Sequence, residues 1–278
     1  MARRYFSEHG GLPAQSEMTG GRAVFTEAYA VIPRGVLRDI VASRYPNWER
    51  ARAWVLARPM SGFAETFAQY LMEVEPGGGS WAPEPDPAAE AALFCLAGEV
   101  VLEYSGSMAS LRPGGFAYFP PGIGWRLRNV GAEAASFHWI RRAYVPAEGL
   151  DVPDPVLTQE DDIEPQPMPD TGGAWATTRF VDPADLRHDM AVTIVTLQPG
   201  AVIPFTETHV MEHGLYVLQG KGIYRLNRDW VEVEAGDFIW LRAFCPQGCY
   251  ASGAEPFRYL LYKDVNRHPP LRIGGASL

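Results

Sequence analysis

Apolar residues in this chain come in short runs, and helix-length amphipathic stripes are scarce. Leu93-Phe94-Cys95-Leu96, Phe116-Ala117-Tyr118, Leu215-Tyr216-Val217-Leu218 and Phe238-Ile239-Trp240 are examples, set among 28 glycines and 24 prolines. Short apolar runs bounded by turn-forming residues read as strands, which predicts a mostly β protein.

The runs also repeat. Ala97-Gly98-Glu99-Val100-Val101-Leu102 is answered by Gln219-Gly220-Lys221-Gly222-Ile223-Tyr224, and Pro113-Gly114-Gly115-Phe116-Ala117-Tyr118 by Ala235-Gly236-Asp237-Phe238-Ile239-Trp240, both at an offset of 122 residues. Pro76-Gly77 matches Pro199-Gly200 within one residue of that offset. A fixed internal offset signals a duplicated domain. Between the copies, Pro146 to Gly173 holds six prolines and eight acidic residues with no Lys or Arg. Such a stretch buries little apolar surface and reads as a linker draped over the outside. The expected division is therefore 1–145, an N-terminal barrel; 146–173, an acidic, proline-rich linker; and 174–278, a C-terminal barrel. Ala23 to Leu56 precedes the first repeat and is expected to pack on the first barrel, with a short helix within Val36 to Tyr45.

Composition narrows the partners. With 278 residues and 47% hydrophobic content the chain can fill a large core, and the net charge of −9 argues against a phosphate-backbone partner. Met1 to Gln15 lacks the apolar core of a secretory signal, and no run is long enough for a membrane span, so no membrane partner is expected. Three cysteines fit a reducing cytoplasm.

One stretch carries chemistry: Glu207-Thr-His209-Val-Met-Glu212-His213. On a strand, Glu207, His209 and His213 share parity and face one side, with Glu212 turned away as a structural group. Gln247, beyond the next hairpin-like stretch, can add an amide oxygen. Two imidazoles, a carboxylate and an amide oxygen suit Mn²⁺ or Fe²⁺ better than a closed, sulfur-rich zinc site, and leave positions for substrate or water. Taken alone, Glu-x-His is a weak signal that a polar strand edge also satisfies. Cys245 and Cys249 flank Gln247 and read better as small core residues than as soft ligands. At the offset of the repeat the four candidates become Pro85, Pro87, Ala91 and Trp125, none of which binds a metal. The first barrel is thus expected to be metal-free, plugged by Trp125. His138 reads as a core or interface histidine; His9, His188 and His268 receive no role.

These blocks resemble the two motifs of the cupin superfamily, with Gly200, Glu207-x-His209, His213 and Gly220 following the first. Gly114, Pro120, Gly122 and Asn129 follow the second in the first half. The resemblance implies two tandem cupin (double-stranded β-helix, jelly-roll-like) barrels. Glu207 to Tyr224, Gly236-Asp-Phe-Ile-Trp240, Cys245-Pro-Gln-Gly-Cys-Tyr250, Tyr144-Val-Pro-x-Glu-Gly149 and Tyr259-Leu-Leu-Tyr-Lys263-Asp-Val-Asn-Arg267 further resemble the (S)-ureidoglycine aminohydrolase family. That likeness implies Mn²⁺-dependent hydrolytic deamination of (S)-ureidoglycine in allantoin breakdown, in a cytoplasmic homo-oligomer with one Mn²⁺ per chain. It implies metal ligands at Glu207, His209, His213 and Gln247 and substrate contacts at Tyr224, Tyr259 and Lys263, with Gln247 also beside the substrate. The candidate catalytic residues are Glu207, as a plain ligand or as ligand and proton shuttle, and Lys263, as a clamp for the carboxylate. The competing readings are a cupin dioxygenase using Fe or Mn and a non-catalytic bicupin that binds a small ligand.

Overall fold

The computed structural model describes residues 22–36, 42–264 and 267. The strands of the first half are β1 (Val24–Phe25), β2 (Tyr29–Ile32), β3 (Trp48–Ala57), β4 (Ala68–Ser80), β5 (Ala89–Ala97), β6 (Val100–Tyr104), β7 (Ser107–Leu111), β8 (Gly115–Phe119), β9 (Trp125–Arg128) and β10 (Ala135–Ala143). The linker contributes β11 (Val156–Gln159) and β12 (Gln166–Pro167). The second half adds β13 (Trp175–Arg179), β14 (Met190–Leu197), β15 (His213–Gln219), β16 (Lys221–Leu226), β17 (Asp229–Glu234), β18 (Phe238–Leu241), β19 (Gln247–Ala251) and β20 (Phe257–Asp264). Two 3-10 turns, at Arg34–Val36 and Glu160–Asp162, complete the regular structure of the described residues. The protein is mostly β, its strands gathered into two barrels related by the internal repeat.

The internal repeat is structural. β9 begins at Trp125 and β19 at Gln247, β10 at Ala135 and β20 at Phe257, all at the offset read from the sequence. The repeated glycines explain themselves. Gly98 and Gly220 have φ of +69° and +76°, and a Cβ would stand 2.7 Å from Ala135 Cα in the first and 2.4 Å from Pro256 O in the second. Only glycine fits that close turn.

Three apolar clusters are stacked through the molecule. Leu93, Cys95, Phe119, Trp125, Phe137 and Trp139 fill the first barrel. Val195, Leu215, Val217, Ile239, Phe257 and Tyr259 fill the second. Between them lies a cluster drawn from both halves, including Phe94, Phe116, Tyr118, Ile140, Ile194, Tyr216, Leu218, Trp240, Leu260 and Tyr262. Along β5, β14, β15 and β20, alternate side chains go to a barrel and to the middle layer, so β15 is buried at every position. This is why the sequence shows continuous apolar runs instead of the alternation of a half-solvated strand. In the first barrel Trp125 stacks on Phe119 at a centroid distance of 5.1 Å and meets Trp139 edge-on, filling the interior. His138 is fully buried in the middle layer, with Gln69 Nε2 3.3 Å from its Nδ1 and its ring against Tyr216.

Two expectations change. The segment before the first repeat divides: β3 pairs with β4 in the first sheet, but β2 pairs with β18 in the second. Tyr29 donates to Asp229 at 2.6 Å, and Asp237 accepts from the Arg34 backbone and pairs with Arg22. Apolar pattern marks a strand but not which free edge it completes. Of the expected helix within Val36 to Tyr45, residues 37–41 lie outside the described residues, while Ser43 bridges to Ala53. The linker, too, is more than surface drapery. β11 pairs with β8, β12 pairs with β13, and buried Glu160 forms an ion pair with Arg258 of β20.

Charge is buried with apolar surface in the middle layer. Arg142 meets Asp264 at 2.7 Å and Asp189 at 3.3 Å. Glu90 is fully buried, with Tyr118 donating to Oε2 at 2.7 Å and Arg142 Nε 3.8 Å from Oε1. Burial, reinforced by the Asp189 carboxylate, pushes its pKa from an ordinary 4.5 to about 8. A carboxyl whose folded pKa is raised binds its proton more tightly folded than unfolded. Its contribution is therefore complete below about pH 4.5 and lost as pH rises toward 8. In thermal unfolding from pH 5 to 8, Glu90→Gln is expected to lose less Tm with rising pH than the wild type; parallel profiles would show that Glu90 is already ionised in the fold.

Candidate metal centre and its cavity

The Glu207 segment is not a strand. Pro204 removes a donor, and residues 201–212 form an irregular loop that touches β19 only at isolated bridges, Val202 with Tyr250 and Glu207 with Gln247. The parity argument for Glu207, His209 and His213 therefore fails as geometry, although the three still line one cavity. The double bridge sets Glu207 beside Gln247, each backbone N–H donating to the other's carbonyl at 2.9 Å. The Phe244 N–H donates to the His209 carbonyl at 2.6 Å, and His213 opens β15.

The cavity has a volume of about 300 Å³ and is lined by Glu207, His209, His213, Gln247, Tyr224, Tyr259 and Lys263 together with β13 and β14 side chains. Glu207 Oε1 lies 3.4 Å from His209 Nε2, and the two imidazole centroids are 5.0 Å apart. Among the described residues no three His, Cys, Asp or Glu side chains are drawn into a closed metal-binding group. The chemistry of the donors does suit a cation. His213 Nδ1 is 3.0 Å from the Glu212 carbonyl, which can only accept, so Nδ1 carries the proton and Nε2 keeps its lone pair. Burial, with the neighbouring His209 adding to it, pushes the His213 pKa down to about 3, so the ring is neutral. A neutral imidazole, a carboxylate and the Gln247 amide oxygen are the donors of a mixed N/O site.

Glu212 supplies the anchor. Its carboxylate accepts from the backbone N–H groups of Glu65 and Thr66 at 2.9 Å each, from Thr66 Oγ1 at 2.7 Å and from Trp240 Nε1 at 2.7 Å. It thus ties the candidate ligand loop to the first half of the chain. Tyr224 OH is 3.4 Å from both Gln247 Oε1 and Tyr259 OH, and burial holds both phenols well above their usual pKa. Lys263 stands opposite His213 in the pairing of β20 with β15. Burial, then the positive charge of Arg179, lowers its pKa, with Glu207 opposing. Cys245 and Cys249 are buried in the second-barrel core and do not line the cavity.

Sequence reasoning missed the opposite wall. Thr177 and Arg179 of β13, Thr193 of β14 and Met168 of the linker all line the cavity. The available signal was that Thr177, Arg179 and Thr193 fall on odd positions of their strands, as Tyr259 and Lys263 do.

The cupin-domain family pattern matches residues 70–141 and 193–262. The (S)-ureidoglycine aminohydrolase of Escherichia coli K12 is 32% identical over 236 residues, covering 84% of this chain and 87% of that protein. The Arabidopsis thaliana enzyme of the same name is 33% identical over 249 residues, 89% of this chain and 79% of that protein. The chain belongs to the (S)-ureidoglycine aminohydrolase family of bicupins. It is accordingly an enzyme of the C–N hydrolase class. A crystal structure of a Pseudomonas aeruginosa protein described as glyoxylate-induced shares 58% identity, with a TM-score of 0.92, covering 98% of this chain and all of that one. No helix among the described residues is long and apolar enough to cross a membrane.

Glu212→Ala leaves two backbone donors, a hydroxyl and an indole N–H without their acceptor. It is expected to lower unfolding stability by about 3–5 kcal/mol in urea titration; an unchanged midpoint would mean that the loop is held by other contacts.

Proposed function

We propose that the chain hydrolyses (S)-ureidoglycine to (S)-ureidoglycolate and ammonia in cytoplasmic purine breakdown, with Mn²⁺ held by Glu207, His209, His213 and Gln247. The observation that carries this reading is the meeting of those four donors and Lys263 in one cavity of a chain from this family. A bound divalent cation would supply Lewis acidity at the stereocentre and fix its configuration. Every other step belongs to side chains.

Lys263 pairs with the substrate carboxylate from the β20 wall. Glu207 Oε accepts a proton from the attacking water and delivers it to the departing α-amine, so that the C–N bond breaks as the C–O bond forms and ammonia leaves. Tyr224 and Tyr259 present hydroxyls beside Gln247 and orient the substrate. The apolar floor, including Val195 and Ile203, keeps bulk water from the reacting carbon. The reaction consumes water and needs no oxidant.

The test is ammonia release from freshly generated ureidoglycine by metal-stripped protein, with and without Mn²⁺. Enzyme-dependent acceleration giving only the S product, with no oxygen uptake, is expected; oxygen consumption would move the chain to dioxygenase chemistry. Glu207→Gln should cut turnover at least 100-fold, and retained turnover with metal bound would remove the proton-transfer role. Lys263→Ala should raise KM at least tenfold, whereas an unchanged KM would remove the carboxylate contact.

A further inference from the structure

The cavity wall carries two cations and too few anions. Arg179 and Lys263 both line it, and Glu207 is its one carboxylate among the described residues. Arginines of the interior are matched, Arg141 with Glu84, Arg142 with Asp189 and Asp264, and Arg258 with Glu160, whereas Arg179 stands exposed at the cavity mouth. Among the described residues, Arg179 has no carboxylate within ion-pair distance. Its Nε donates to Thr177 Oγ1 at 3.2 Å, two residues along the same face. That bond is solvent-exposed, and among the described residues neither Nη group has a protein acceptor.

The two cations mark different places. Arg179 pairs across β13 and β14 with Thr193, which pairs with Leu261 in β20. Lys263 lies one cavity-facing position further along β20, in the row of His213. Two strand spacings and one two-residue step separate their Cα atoms by roughly 12 Å. Side chains of this length then converge on a ligand with two acceptor groups a few ångströms apart. Lys263 offers a point charge suited to a carboxylate, and Arg179 a planar fork suited to a planar acceptor such as a ureido carbonyl.

We propose that Arg179 is a specificity-determining residue: it binds the distal ureido carbonyl while Lys263 holds the carboxylate, so the cavity selects carbamoylated amino-acid skeletons over carboxylates that lack the carbamoyl group. This rests on the ureidoglycine reading.

The test uses full-length, Mn²⁺-loaded protein and two stable probes, N-carbamoylglycine, which has both ends, and glycolate, which has only the carboxylate. By calorimetry the wild type should bind N-carbamoylglycine at least tenfold tighter than glycolate. Arg179→Met should remove that advantage and leave glycolate affinity within twofold. Arg179→Lys, which keeps the charge without the fork, should restore only part of it. In turnover, Arg179→Met should raise KM about tenfold with kcat within threefold of the wild type. Equal affinities for both probes in the wild type, an unchanged N-carbamoylglycine affinity in Arg179→Met, or an equal loss for both probes overturns the role. If the wild type still releases ammonia from ureidoglycine, that failure is confined to Arg179. If it releases none, the reaction falls and the specificity role falls with it.

Discussion

Burial of strands on both faces is the constraint on which the rest depends. β14, β15 and β20 send one set of side chains into the second barrel and the other into the layer shared with the first half. A strand with no solvated face has its register fixed twice, since a one-residue slip would misplace both sets. The second barrel is therefore positioned by its neighbour as well as by its own core. The strands so fixed, β15 and β20, carry His213 and Lys263.

That arrangement explains an oddity of the duplication. The first half has no candidate ligands at the matching positions, and its barrel is filled by aromatic rings around Trp125. It supplies support to the other half: the Glu65 and Thr66 backbone donors and the Thr66 hydroxyl grip Glu212, which sits next to His213. A loop with only isolated bridges to β19 would otherwise pay its full ordering entropy each time its side chains were brought together.

Electrostatics follow the same division. Inside the middle layer charges are matched, as Arg142 is with Asp189 and Asp264, because an isolated charge in low dielectric is costly. On the cavity wall Lys263 and Arg179 are left without carboxylate partners among the described residues, where a ligand can reach them. The contrast separates residues that hold the fold from those available to a small anion.

The sequence by itself determined the β class, the duplication and its offset, because glycines at forced turns and short apolar runs are local signals that a repeat preserves. It also marked Glu207, His209, His213 and Gln247, since residue type and spacing announce donor chemistry, while Tyr224, Tyr259 and Lys263 stood out only through the family resemblance. It did so partly through a wrong local geometry, because a loop pinned at Glu207 and Gln247 replaces the expected strand. Only the tertiary structure decided that β2 completes the second sheet, that the acidic linker adds strands and a buried ion pair, and that Arg179 shares a wall with Lys263. Those outcomes depend on which sheet edge is free and which faces curl together, and such contacts join residues far apart in the chain that no local pattern records.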